Sequence, residues 1–169
     1  MTDIEIRSTR YLAPAAQRMV AAALGDLSAR YGGVGDDTPI DPMEFNPPEG
    51  GFFVAYRQGD PVGCAGWRSH EHLDGGSAAG EAAVAELKRL YVAPDARGAG
   101  VASALVAAVE QAVVDRGRTR LILECGMRQP EAIALYEKLG YARIPDFGYY
   151  QGWEGVRSFG RDLVPDPTT

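Results

Sequence analysis

Arg97-Gly98-Ala99-Gly100-Val101-Ala102 joins an apolar strand to an alanine-rich helix. Before it, Glu86-Leu87-Lys88-Arg89-Leu90-Tyr91-Val92-Ala93-Pro94 alternates β-branched and aromatic residues with charged ones, the pattern of a half-buried strand. After it, Val101, Leu105, Ala108, Val109 and Ala112 recur at three- and four-residue steps, so Val101 to Arg116 is predicted to be a helix with one apolar face. A strand, a loop with two glycines and a helix start together make an anion site. Glycine lets the backbone approach a ligand, and the first N–H groups of a helix have no partner inside it. Such a loop can cradle phosphates without a metal or a cluster of cationic side chains.

Outward from the loop, the elements alternate. Ile4 to Arg7 reads as a first strand, and Leu12 to about Tyr31 as one helix, or two broken near Gly25, stopped at Gly32-Gly33. A loop crowded with turn formers and acids follows, from Gly35-Asp36-Asp37 to Glu49-Gly50-Gly51. Phe52 to Arg57, the turn Gln58-Gly59-Asp60, and Val62 to Arg68 form a predicted β-hairpin. His70 to Gly80 is polar and glycine-rich. Beyond the central helix, Thr119 to Cys125 has high β propensity, and Pro130 opens a helix closed at Leu139-Gly140. Tyr141 to Ile144 and Val156 to Leu163 are predicted as the last strands. This order describes a mixed sheet with helices on both faces, hence α/β or α+β.

At 169 residues the chain is most simply one domain, residues 1–164, with 165–169 a frayed, flexible tail. No apolar run approaches the ~20 residues of a membrane span, and Met1-Thr2-Asp3-Ile4-Glu5 lacks the features of a signal peptide. Two cysteines, Cys64 and Cys125, are too few for a disulfide framework, so a cytoplasmic protein is expected. A net charge of −6 argues against nucleic acid or an anionic membrane as partner. Residues 1–80 hold 6 Lys+Arg against 11 Asp+Glu, whereas residues 88–128 hold 7 against 4. An anionic ligand would be tolerated near the glycine loop and a cationic one nearer the first half, although solvated surface charge accounts for most such residues.

Three features, in order, resemble the GNAT superfamily of acyl-CoA N-acyltransferases. The loop fits that family's (Gln/Arg)-x-x-Gly-x-(Gly/Ala) motif through Arg97, Gly100 and Ala102. Gln129-Pro130-Glu131-Ala132-Ile133-Ala134-Leu135-Tyr136-Glu137-Lys138-Leu139-Gly140-Tyr141 is similar to the family's late helix, which carries a tyrosine before a Gly-aromatic end. About one helix and one strand separate the two pieces, as in the family. The resemblance implies a largely antiparallel sheet of six to seven strands with splayed central strands, and acetyl-CoA as cosubstrate without a metal. It implies that N–H groups of Gly98, Ala99, Gly100, Val101 and Ala102 hold the pyrophosphate, aided by the helix dipole. Leu90, Tyr91 and Val92 would pair with the pantetheine arm beside a β-bulge. Gln129 stands where many members have an asparagine on the cofactor arm.

Acyl transfer to an amine requires a neutral amine, a stabilised oxyanion and a proton for the departing thiolate. Tyr136 falls on the family's general-acid tyrosine; otherwise it is a core aromatic. Glu86 falls where some members place a carboxylate base, acting directly or through water; otherwise it is an exposed strand acid beside Lys88. The N–H of Tyr91 or Val92 is the natural oxyanion donor. Cys125 has no histidine beside it in sequence and reads as a buried small residue. His70 and His72, without further Cys/His partners, read as loop residues rather than metal ligands.

In the family the acceptor enters opposite the cofactor. Here those parts are the acidic loop Asp36–Glu49, the hairpin and the aromatic run from Phe147 to Glu154, which suit a small cationic primary amine. A homodimer is expected by analogy alone. A Rossmann site is excluded because Ser103 replaces the third glycine and the loop comes late, and a Walker loop because Gly-Lys-Ser/Thr is missing. A non-catalytic acyl-CoA-binding or regulatory module, and an acetyltransferase of protein N-termini or lysines, are the alternatives.

Overall fold

In a computed structural model that describes residues 3–70 and 83–163, the strand before the glycine loop runs Val84–Val92 and lies fourth in a seven-stranded sheet. In chain order the elements are β1 (Ile4–Thr9), α1 (Pro14–Tyr31), β2 (Gly50–Arg57), β3 (Asp60–Ser69), β4 (Val84–Val92), α2 (Val101–Asp115), β5 (Arg120–Gly126), α3 (Pro130–Lys138), β6 (Ala142–Arg143) and β7 (Val156–Asp162). The sheet order is β1-β2-β3-β4-β5-β7-β6. Among the described pairings β4 with β5 is parallel, and it covers only Val84–Glu86 against Arg120–Ile122; the others are antiparallel. This is the mixed, largely antiparallel sheet expected from the sequence. The chain divides into two compact units, the first holding residues up to Arg68 with Leu87–Val109, the second Ser69–Glu86 with Glu110 onward.

In the first unit, Gln58 (φ 53°) and Gly59 (φ 86°) both take the left-handed conformation that a two-residue hairpin turn requires, and Arg57 faces Asp60 across it. The first helix is a single one. Pro14 starts it, Leu12 stays outside and exposed, and Gly25 lies within it without a break. Ala16, Val20 and Ala23 form its buried face at steps of four and three. Tyr11, Phe45 and Phe52 pack as an aromatic trio, with centroids 4.8 to 5.9 Å apart, over Val54 and Cys64. Each buried phenylalanine contributes about 1.5–3 kcal/mol by leaving water. Gly66 makes room for them, since a Cβ there would sit 2.6 Å from the Phe52 ring. Phe45, on a short 3-10 turn at Pro42–Phe45, anchors the acidic loop to this core.

In the second unit β5 and β7 pair along their whole length, from Arg120 opposite Asp162 to Gly126 opposite Val156. β6 adds two residues at the edge, fewer than the four expected from Tyr141 to Ile144. Leu121, Leu123 and Phe159 are fully buried. Tyr136 and Tyr141 meet edge to face at 5.9 Å, and the Tyr141 hydroxyl donates to Glu110 Oε1 at 2.7 Å. Arg161 reaches the same carboxylate at 3.1 Å, so the acid end of this cluster is fully engaged. The expected tail at 165–169 and His72 lie outside the described residues. Among the described residues no helix is long and apolar enough to cross a membrane.

Candidate active site

The glycine loop is built as its sequence requires. Gly98 (φ 79°) and Gly100 (φ 80°) are left-handed, and a Cβ on either would meet nothing within 4 Å. The loop therefore has two sharp bends and open space beside them. The first bond inside α2 runs from the Ala104 N–H to the Gly100 carbonyl at 3.0 Å, so the N–H groups of Val101, Ala102 and Ser103 precede it. Buried Val101 and Leu105 hold the helix start against the same unit. The Arg97 side chain is turned back into the protein, with Nε donating to the Val92 carbonyl at 2.9 Å and Nη2 3.4 Å from Asp26 Oδ1. It braces the loop, and the open space beside the glycines faces backbone N–H groups.

Upstream, β4 bends. Arg89 has φ 60°, a conformation that costs a non-glycine residue roughly 1–2 kcal/mol. Neighbouring side chains of a regular strand point to opposite faces. Here the alternation breaks, and Arg89 Nη1 (2.9 Å) and Lys88 Nζ (3.6 Å) both reach Asp36 Oδ2. The Thr38 N–H and hydroxyl donate to the other oxygen of Asp36 at 2.9 and 2.6 Å, and the Cys64 thiol donates to the Arg89 carbonyl at 3.2 Å. Burial pushes the Asp36 carboxyl up, but Lys88, Thr38 and Arg89 together outweigh it and hold the group at about 2. This cluster corrects the reading of charge from composition. Lys88 and Arg89 are held by Asp36, Glu44 pairs with Arg68 at 2.7 Å, and Asp41 caps the 3-10 turn. The loop's acids are thus engaged within the protein to a large extent, and the basic residues near the glycines are not a free cationic patch.

In the second unit, Tyr136 is buried on α3 with Tyr141 and Phe159 around it. Burial, and to a lesser degree the Cys125 thiol, raise its pKa, so the phenol keeps its proton. Burial likewise pushes the Cys125 thiol up to about 12, well away from a nucleophilic thiolate. Gln129 occupies the position before α3; its carbonyls accept locally, the side-chain one from the Gly126 N–H at 3.3 Å.

Glu86 is 2% exposed, so it is not an exposed acid. Its Oε2 lies 3.1 Å from His70 Nε2. His70 ends β3's excursion, with its N–H donating to the Val84 carbonyl at 2.8 Å and its ring edge on Phe147 at 5.5 Å. It is a wall of a cavity of about 380 Å³, together with Arg120, Asp146, Gln151 and the apolar Ile122 and Phe147. Glu86 is not among the residues that line it. In the sequence His70 reads as a loop residue, because the apolar pattern of its strand ends at Arg68. The only hint of its placement is that the strand could continue two residues further.

Residues 20–141 match the family described as acetyltransferase (GNAT) family. The chain belongs to that family. As a GNAT acetyltransferase it is an acetyl-CoA-dependent acyltransferase. It is 35% identical over 111 residues to an IAA acetyltransferase of Azospirillum brasilense, a match covering 66% of this chain and 67% of that one. Its fold superimposes on an acyl-CoA N-acyltransferase structure from Klebsiella pneumoniae with a TM-score of 0.74, at 25% identity, over 95% of this chain and 98% of that one. It also shares the fold of an acetyltransferase from Salmonella typhimurium solved with its cofactor acetyl-CoA, with a TM-score of 0.67 at 16% identity over 97% and 96% of the two chains. For this GNAT acetyltransferase, the matched range includes the loop, the late helix, His70 and Asp36 alike.

Proposed function

We propose that the chain transfers an acetyl group from acetyl-CoA directly to the primary amine of a small cationic or amino-acid-like molecule, with residues 1–164 acting as one catalytic domain. The observation that carries this reading is the loop from Arg97 to Ala102, whose two left-handed glycines and helix start leave donors and open space suited to a pyrophosphate. Leu90, Tyr91 and Val92, following the bend at Arg89, are assigned to the cofactor arm, with Gln129 as a further contact. Tyr136 is assigned the proton for the leaving thiolate, a role its raised pKa supports. Glu86 is assigned to the side of the reaction that neutralises the amine. The cavity in the second unit, lined by Asp146, Arg120 and His70, supports a small acceptor carrying charge. Acetyl-CoA incubated with a panel of small amines, amino acids and peptides tests this. Mass spectrometry is expected to find N-acetyl products of small amines in large excess over those of peptides; acetylation of peptides alone would overturn the assignment.

A further inference from the structure

The base of this reaction has to meet the acceptor, and Glu86 does not line the one cavity described in its unit. His70 does. Its Nε2 is 3.1 Å from the carboxylate of a glutamate that is 2% exposed. A carboxylate accepts, so in the neutral ring the hydrogen belongs on Nε2 and the lone pair on Nδ1. Phe147 meets the ring edge to face, which with Glu86 fixes the plane of the imidazole. The charged groups that share the cavity are Arg120 from β5, tied to Asp162 at 2.7 Å, and Asp146 from the segment before β7. Asp146 Oδ1 is buried and has no hydrogen-bond partner among the described residues. Arg143 forms a long ion pair with it at 3.9 Å, beyond hydrogen-bond distance.

We infer that this cavity is the acceptor site, that Asp146 receives the ammonium, and that His70 takes its proton while Glu86 positions the ring. The inference rests on the N-acetyltransferase reading above. An acceptor arriving as R–NH3+ gives one proton to Nδ1 of His70 and becomes R–NH2. The amine nitrogen then forms a bond to the acetyl carbonyl carbon as the carbon–sulfur bond breaks. The second amine proton accounts for the thiol product, and the imidazolium returns its proton to water. His70 is thus a catalytic residue, and Glu86 a positioning residue acting through it.

Kinetics of His70→Ala with any acceptor that the wild type turns over test the assignment. kcat is expected to fall about 100-fold or more, with the KM for acetyl-CoA unchanged. Added imidazole should restore rate in proportion to its concentration, which a merely structural defect would not allow. Glu86→Gln should lose about tenfold without imidazole rescue, and Asp146→Asn should raise the KM of the amine alone. If the alanine variant does not fold, His70→Gln, whose amide can still donate to Glu86, takes its place. A His70 variant within a few-fold of wild type, or one unresponsive to imidazole, overturns the assignment and leaves the transferase reading standing. Absence of amine-dependent turnover in the wild type overturns both.

Discussion

Burial separates the roles of the ionisable side chains in the second unit. The Cys125 thiol adds to the rise at Tyr136, and both groups are pushed toward their neutral forms by desolvation. A phenol held neutral is a competent proton donor, whereas a thiol held near 12 is a poor nucleophile, so direct transfer to the amine fits this site better than an acyl-enzyme. Cys125→Ser should therefore keep kcat within about threefold of wild type; a loss of several hundredfold, with acetylated Cys125 recovered by mass spectrometry, would instead mark a covalent route. Glu86 and His70 are the other pair, and neither role is visible from the residue alone. A carboxylate 2% exposed needs a polar partner, and the imidazole at 3.1 Å is one.

At the scale of elements, the bend in β4 is a strained feature held by a distant loop. Fifty-three residues separate Arg89 from Asp36, yet their 2.9 Å contact and the Lys88 contact fix the bend. The sign of the pH effect follows from the Asp36 carboxyl, which sits at about 2 in the fold against an ordinary value of 3.8. Its contribution is complete above the ordinary value and disappears as pH falls through about 2, amounting to about 2 kcal/mol. Asp36→Asn should lower stability by about 2–4 kcal/mol near neutral pH and flatten the acid limb between pH 4 and 2. It should also raise the KM for acetyl-CoA. Urea titrations across pH with parallel kinetics check both, and an unchanged acid limb would show that Asp36 does not hold the bend. Local elements were legible in the sequence because local chemistry specifies them. Gln58-Gly59 dictates its turn, Pro14 and Pro130 start helices, and Gly98 and Gly100 mark the loop. The pairs Asp36–Arg89 and His70–Glu86 were not legible, because each joins residues far apart in the chain and nothing in the local pattern distinguishes a buried acid from an exposed one.

For the molecule as a whole, a net charge of −6 says less than its arrangement. Asp36 and Glu44 are paired with cations of the protein itself, so the acidic surplus of the first half is not simply a field awaiting a cationic ligand. What remains is a backbone cradle in one unit and, in the other, a protonated phenol and a cavity walled by His70 and Asp146, each described by its own geometry. Their proposed joint product is an acetylated amine. Thiol release from acetyl-CoA, followed with and without small amines in the wild type and in Tyr136→Phe, tests that most directly. The expected result is release that depends on the amine, equals the N-acetyl product in amount, and slows about 10–100-fold in the variant at unchanged KM for acetyl-CoA. Release indifferent to every amine, or a variant as fast as the wild type, would contradict it.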